Sequence, residues 1–234
     1  MQLTPDLSTF SVLTIGFALG LQHATEADHL AAVSTIVSEK KSLLTASIVG
    51  GFWGLGHTIS LFVVGAMVIF LKVQISETVE RRLEAVVGGM LILLGLNALR
   101  KLAFAKKIHA HTHEHGERAH VHIHTHGEEV QTSHHRFSLR SILVGMVHGL
   151  AGSAALMLLI LPTIPSPAVA LLYIVIFGIG SIGGMMAMSF LIGLPFHFTA
   201  NRFDLLNKGI RLCAGVFSLG LGTLIVYEKL LSFQ

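Results

Sequence analysis

Charge-poor stretches long enough to cross a bilayer recur along almost the whole chain, and no other feature restricts its fold as much. A membrane core takes about 20 mostly apolar residues per helical crossing. Runs of that kind lie at Ser8 to Val37, Leu43 to Leu71, Leu83 to Leu99, Leu139 to Leu161, Ala168 to Leu194 and Ile210 to Leu231, with short polar joints between them. Only 12% of the 234 residues are Asp, Glu, Lys or Arg, about half the share in an ordinary soluble domain. The expected fold class is therefore all-α, a polytopic membrane protein of six transmembrane helices. The fifth run carries Gly178, Gly180, Gly183 and Gly184, a composition that allows either a broken or a continuous helix there.

The one long polar interval, Arg100 to Arg136, holds ten of the fifteen histidines, mostly in alternation as in His109-Ala-His-Thr-His-Glu-His115. So polar a segment cannot build a packed core. It is read as a loop over 100–138 that separates two membrane units, 1–99 and 139–234. Positive residues set orientation. One side of a six-span arrangement collects Lys40, Lys41, Arg100, Lys101, Lys106, Lys107, Arg118, Arg136, Arg140, Arg202, Lys208 and Arg211, against Lys72, Arg81, Arg82 and Lys229 on the other. Both termini are expected outside a cell membrane, plasma or inner, and the His-rich loop in the cytoplasm. Met1 to Ser8 lacks the basic segment of a cleavable leader, so none is expected. The single Cys213 excludes an internal disulfide, and nothing points to nucleic acid.

The two units resemble each other. Gly16-Phe-Ala-Leu-Gly-Leu21 echoes Gly145-Met-Val-His-Gly-Leu150, Trp53-Gly-Leu-Gly56 echoes Phe177-Gly-Ile-Gly180, and Gly89 echoes Gly215, at offsets of 129, 124 and 126 residues. With three crossings per unit, the second must enter from the opposite side, giving two inverted three-helix repeats of the kind common in secondary transporters.

The first run contains His23-Ala-Thr-Glu26-Ala-Asp28-His29. An Asp at a helix centre costs about 2.5 to 3.5 kcal/mol on insertion scales, so these groups face a polar cavity, a partner or an ion. At about 100° per residue, His23, Glu26 and His29 share one stripe and Asp28 lies off it. Either the helix unwinds near Gly20 to His23, or Asp28 holds a ligand histidine from behind. His57 in Gly54-Leu-Gly-His57-Thr58 and His148 in His148-Gly-Leu-Ala-Gly-Ser153 follow glycines that permit close helix approach. His197 sits near an interface and carries less weight. Imidazoles with one or two carboxylates suit divalent zinc, nickel, cobalt or ferrous iron, and the lack of paired thiolates argues against a soft cuprous site.

His23-x-x-x-x-Asp28-His29, followed by Leu55-Gly-His57-Thr58, resembles the signature of the nickel/cobalt transporter family. His148-Gly-Leu-Ala-Gly-Ser-Ala-Ala155 is similar to the fourth-span motif of its shorter, urease-associated nickel permease branch. The resemblance implies uptake of Ni2+ or Co2+ as substrate, with His23, Asp28 and His29 at the transport site and His57 close by. Gln22 stands where that family usually has Arg, Glu26 stands where it has Asp, and well-studied members have eight spans.

The expected metal-binding set is His23, Glu26, Asp28, His29, His57 and His148, with no catalytic residue and no resident cofactor. Expected partners are the ion, the lipid bilayer, and a cytoplasmic metal acceptor or a second copy of the chain. The competing functions are efflux, another divalent cation (Fe, Zn or Mn), and a membrane-embedded metal-dependent hydrolase with Glu26 or Asp28 as base. The His-rich loop is expected to contact metal without being essential to transport. No nucleotide-binding loop occurs in the chain.

Overall fold

A computed structural model describes residues 7–38, 40, 42–72, 76–104, 111–114, 119–122, 134–150, 164, 166–200 and 202–231. Among these residues there are seven α-helices: α1 Leu7–His23, α2 Ala27–Val37, α3 Leu43–Leu71, α4 Glu77–Ala103, α5 His134–Gly149, α6 Pro167–Thr199 and α7 Asp204–Val226. A π-helical turn, Tyr227–Leu231, extends α7. Four segments, of 29, 27, 33 and 27 residues, are long and apolar enough to cross a membrane: α3, α4, α6, and α7 with its extension.

Three expectations are refined. The first apolar run is two helices, because the chain turns at Ala24, Thr25 and Glu26, just past the Gly20 to His23 stretch where unwinding was one of the two alternatives. The fifth run is one unbroken helix, and even Pro195 lies inside α6. In the His-rich interval, β1 (His111–Glu114) and β2 (Ala119–His122) pair antiparallel, with His111 opposite His122 and His113 opposite His120. Alternating His with Thr or Val suits a short two-stranded ribbon. The expected fourth run continues past Gly149 into 151–161, which lies outside the described residues, as does most of the His-rich loop.

The packing is reciprocal. Helix α1 lies on α6, α5 lies on α3, α3 and α6 form the central pair, α4 pairs with α7, and α2 is wedged among α4, α6 and α7. Small residues set these approaches. A Cβ on Gly20 would collide with the Phe177 carbonyl, and one on Gly149 would come within 2.5 Å of the His57 carbonyl oxygen. In the α4–α7 pair, Gly88 meets Gly222 and Gly95 meets Gly215, whereas Gly89 has no neighbour within 4 Å. The working echo is thus Gly88 and Gly95 with Gly215 and Gly222, one residue away from the Gly89–Gly215 match.

Hydroxyls bind carbonyls across helices. Ser60 donates to Met146 (2.9 Å), Ser218 to Leu91 (2.9 Å) and Ser181 to Gly20 (3.3 Å). Bonds of this kind average about 0.6 kcal/mol each in a membrane protein, so backbone proximity counts for more. Large apolar side chains such as Phe10, Leu44, Leu93, Phe190 and Val216 face outward, as a lipid-contacting surface requires.

The α6–α7 corner is held differently. Asn207 Nδ2, buried, donates to the Phe196 carbonyl (3.2 Å) and to Thr199 Oγ1 (2.9 Å). Asn207→Ala strips both acceptors of this donor and is expected to lower stability by about 1–3 kcal/mol. Denaturant titration in micelles reads this directly, and an unchanged midpoint would mean that the corner is held by packing alone.

Candidate metal centre

Six sequence-selected side chains meet at the break between α1 and α2. His23 ends α1, Glu26 lies in the extended residue before α2, Asp28 and His29 occupy the first turn of α2, and His57 and His148 come from α3 and α5. Because the chain turns at Ala24 to Glu26, the stripe that a continuous helix would impose is broken, and Asp28 reaches the same space as His23 and His29. His29 and His57 are fully buried, and His23 and His148 nearly so.

Each carboxylate holds imidazoles. Asp28 Oδ1 accepts from the His29 backbone N–H (2.8 Å) and from His29 Nδ1 (3.0 Å), while its Oδ2 accepts from His148 Nε2 (3.0 Å). Glu26 Oε1 lies 2.8 Å from His23 Nδ1. An ionised carboxylate only accepts, so each contacting nitrogen carries the proton and the other ring nitrogen keeps its lone pair. That leaves His23 Nε2, His29 Nε2 and His148 Nδ1 as ligand atoms. Carboxylate-held imidazoles of this kind orient metal ligands and raise their basicity.

His23 Nε2 and His57 Nε2 are 3.2 Å apart. Two nitrogens on one ion at about 2.0–2.1 Å each lie about 3.0–3.4 Å apart when they are adjacent ligands. One nitrogen each of His23, His29 and His57 falls within 4.8 Å of the others, and so does a second set made of Asp28, His29 and His148. His29 belongs to both. Its ring lies 4.3 Å from that of His23 and 4.2 Å from that of His148, edge-on in both cases.

Among the described residues, none supplies a hydrogen bond to His29 Nε2 or to His148 Nδ1, although both atoms are buried. A buried polar atom without a partner costs about 1–3 kcal/mol, and a divalent cation is the partner these lone pairs suit. The arrangement can therefore hold a borderline ion through the three nitrogens of His23, His29 and His57, with the carboxylates behind them and His148 beside them on Asp28.

The sequence reading missed Trp53 as part of this centre. Its ring lies 5.2 Å from His29 and 5.4 Å from His148, and it is almost fully buried. It walls the histidines from the lipid-facing side chains. The available signal was its position one helical turn before His57 on α3, the same face. Phe177 of α6 closes the side next to His23 at 5.7 Å. His197, on α6, lies outside both groupings, its ring 5.9 Å from that of Phe198.

In comparison with known proteins, no family model matches the chain, and no solved structure matches it. It is 39% identical over 213 residues to the urease accessory protein UreH of Bacillus sp. (strain TB-90), an alignment covering 88% of this chain and 87% of that protein. It is also 23% identical to two proteins of Arabidopsis thaliana, the chloroplast proteins FOR GROWTH AND FERTILITY 2 and FOR GROWTH AND FERTILITY 1. Both alignments cover 94% of this chain but only 57% and 60% of those longer proteins.

Proposed function

We propose, from the premise that the chain belongs to the family of the urease accessory protein UreH, that it carries nickel, and secondarily cobalt, across a cell membrane in the direction of uptake. The single observation that carries this reading is the buried convergence of His23, His29, His57 and His148 behind two carboxylates at a break in a membrane helix. Nickel as cargo accords with a relative that is an accessory to urease and with the family signature in His23-x-x-x-x-Asp28-His29. The donor set is imidazole and carboxylate, which suits nickel, cobalt, zinc or ferrous iron and not cuprous copper.

In this reading the chain crosses the membrane six times, with α1 and α2 forming one broken crossing and α5 beginning the fourth. The termini lie outside and the His-rich interval lies in the cytoplasm, an orientation that the distribution of Lys and Arg supports. The inverted repeat over 1–99 and 139–234 is supported by the reciprocal packing, in which α1 sits on α6 as α5 sits on α3. Broken helices that carry the ion at such a repeat interface are a recurring transporter device. The chain acts as a carrier and not as an enzyme, and holds no permanent cofactor.

The centre lends itself to release because its ligands ride on different helices. His23 belongs to α1, which packs on α6, whereas Asp28 and His29 belong to α2, which packs on α7, α6 and α4. A small rotation of α1 about Thr25 and Glu26 separates His23 from His29 and frees the ion. Ligands bind only unprotonated, so uptake is expected to fall at acid pH.

The test is radiolabelled nickel flux into proteoliposomes, wild type against His23→Ala and Asp28→Asn, with cobalt, zinc and manganese as competitors. Saturable flux that both variants lose supports the carrier. Failure of oriented, folded wild type to move any of these ions, with stoichiometric zinc retained after chelation, would replace it with an embedded hydrolase.

A further inference from the structure

A cavity of mixed lining, largely apolar with two basic side chains, lies away from the histidines, between the end of α2, the last turns of α4 and the middle of α5. It has a volume of about 40 Å³ and is lined by Thr35, Lys40, Asn97, Arg140 and Ser141, with apolar walls that include Leu94. At about 10–15 Å³ per water-sized site, it holds about three waters, or the oxygens of one small oxyanion.

Its chemistry is opposite to that of the metal centre. Lys40 and Arg140 bring two positive charges, Asn97 and Ser141 add neutral donors, and among the described residues no acidic side chain lines it. Such a lining repels a divalent cation and attracts an oxyanion. Arg140 is exposed, whereas Leu94 is buried, so the charged groups stand at the mouth and the apolar wall lies inward. Basic pockets between membrane helices on the cytoplasmic side take phosphate head groups. The cavity also lies where α4 and α5 flank the His-rich interval, near Arg100 and Lys101 at the end of α4 and Arg140 of α5.

We propose that this cavity binds a phosphate oxyanion, supplied by the head group of an anionic phospholipid in the leaflet on the His-rich side. Arg140 grips the phosphate with its planar fork of donors, Lys40 adds a second charge, and Asn97 adds a neutral hydrogen bond. The acyl chains then lie along the outward apolar faces. The bound lipid ties α2, which carries Asp28 and His29, to α4 and α5. The inference is independent of the transport reading, because the cavity and its charges stand whatever ion the histidines hold.

Thermal unfolding of the full chain in nanodiscs tests it. The wild type is expected to unfold at a higher temperature in phosphatidylglycerol than in phosphatidylcholine, and Arg140→Gln and Lys40→Gln should each lose most of that increment. Their midpoints in phosphatidylcholine should stay at the wild-type value, which shows that they fold. Arg202→Gln, a charge change on the same side outside the cavity, should keep the increment. Inorganic phosphate added to phosphatidylcholine nanodiscs should give no increment. A phosphate increment that Arg140→Gln abolishes would uphold the oxyanion site and overturn the lipid as its source. Equal losses in Arg140→Gln and Arg202→Gln, or none in either, would overturn the site.

Discussion

Replacing His29 with alanine is expected to abolish saturable divalent-metal binding, a larger effect than any other single substitution in the centre. His29 is fully buried and is the one side chain shared by both ligand groupings, His23 with His57 and Asp28 with His148. Its backbone N–H and its Nδ1 are both fixed by Asp28 Oδ1, so its Nε2 is aimed before any ion arrives and little side-chain entropy remains to be lost on binding. Asp28→Asn gives a graded comparison. The amide keeps one acceptor but cannot serve both His29 and His148, and loss of such a supporting contact costs about 10–100-fold in affinity. His29→Ala should exceed that range. Calorimetric titration of nickel into purified protein in micelles measures both, with the helical circular dichroism signal reporting that the variants fold. A folded His29→Ala protein that binds nickel as the wild type does would remove His29 from the ligand set and shift the centre toward His23 and His57 alone.

The sequence carried the composition of this centre further than its shape. All six side chains were legible because an ionisable group in an apolar run is costly and so stands out. Their assembly was not legible, since it depends on where α1 stops. A periodicity argument on a straight helix puts Asp28 away from His23 and His29, and the turn at Ala24 to Glu26 removes that conflict. Trp53 escaped notice for the converse reason, as an apolar aromatic among apolar neighbours gives no contrast. The glycine-rich stretch of α6 was equally hard to read. Its glycines left a break open, but Gly178 admits Thr58 of α3 and Gly184 admits Ala24 of the turn between α1 and α2, and the helix runs on. One sequence cannot distinguish a glycine that bends a helix from one that lets another helix approach.

That distinction gives the second large effect. Gly145→Val is expected to destabilise the protein by more than the about 1–3 kcal/mol usual for overpacking, and to weaken metal binding with it. A Cβ at Gly145 would overlap the Trp53 carbonyl and come within 2.8 Å of the indole ring, and at the same interface one at Gly56 would overlap the Ile142 carbonyl. The obstacle is backbone inside a central helix, so no rotamer change relieves it. Helix α5 must move off α3. His148 moves with α5, which lengthens its 3.0 Å contact to Asp28 Oδ2, and Trp53 loses its place beside His29. Stability and affinity should therefore fall together. Gly89→Ala and Gly183→Ala are the matched controls, because a Cβ at either meets nothing within 4 Å, and both should retain wild-type unfolding and nickel affinity. A Gly145→Val protein as stable as the wild type would show that the α3–α5 contact is not the close approach described. One that is destabilised but binds nickel normally would separate His148 from the ion and leave the three histidines of α1, α2 and α3 as the whole centre.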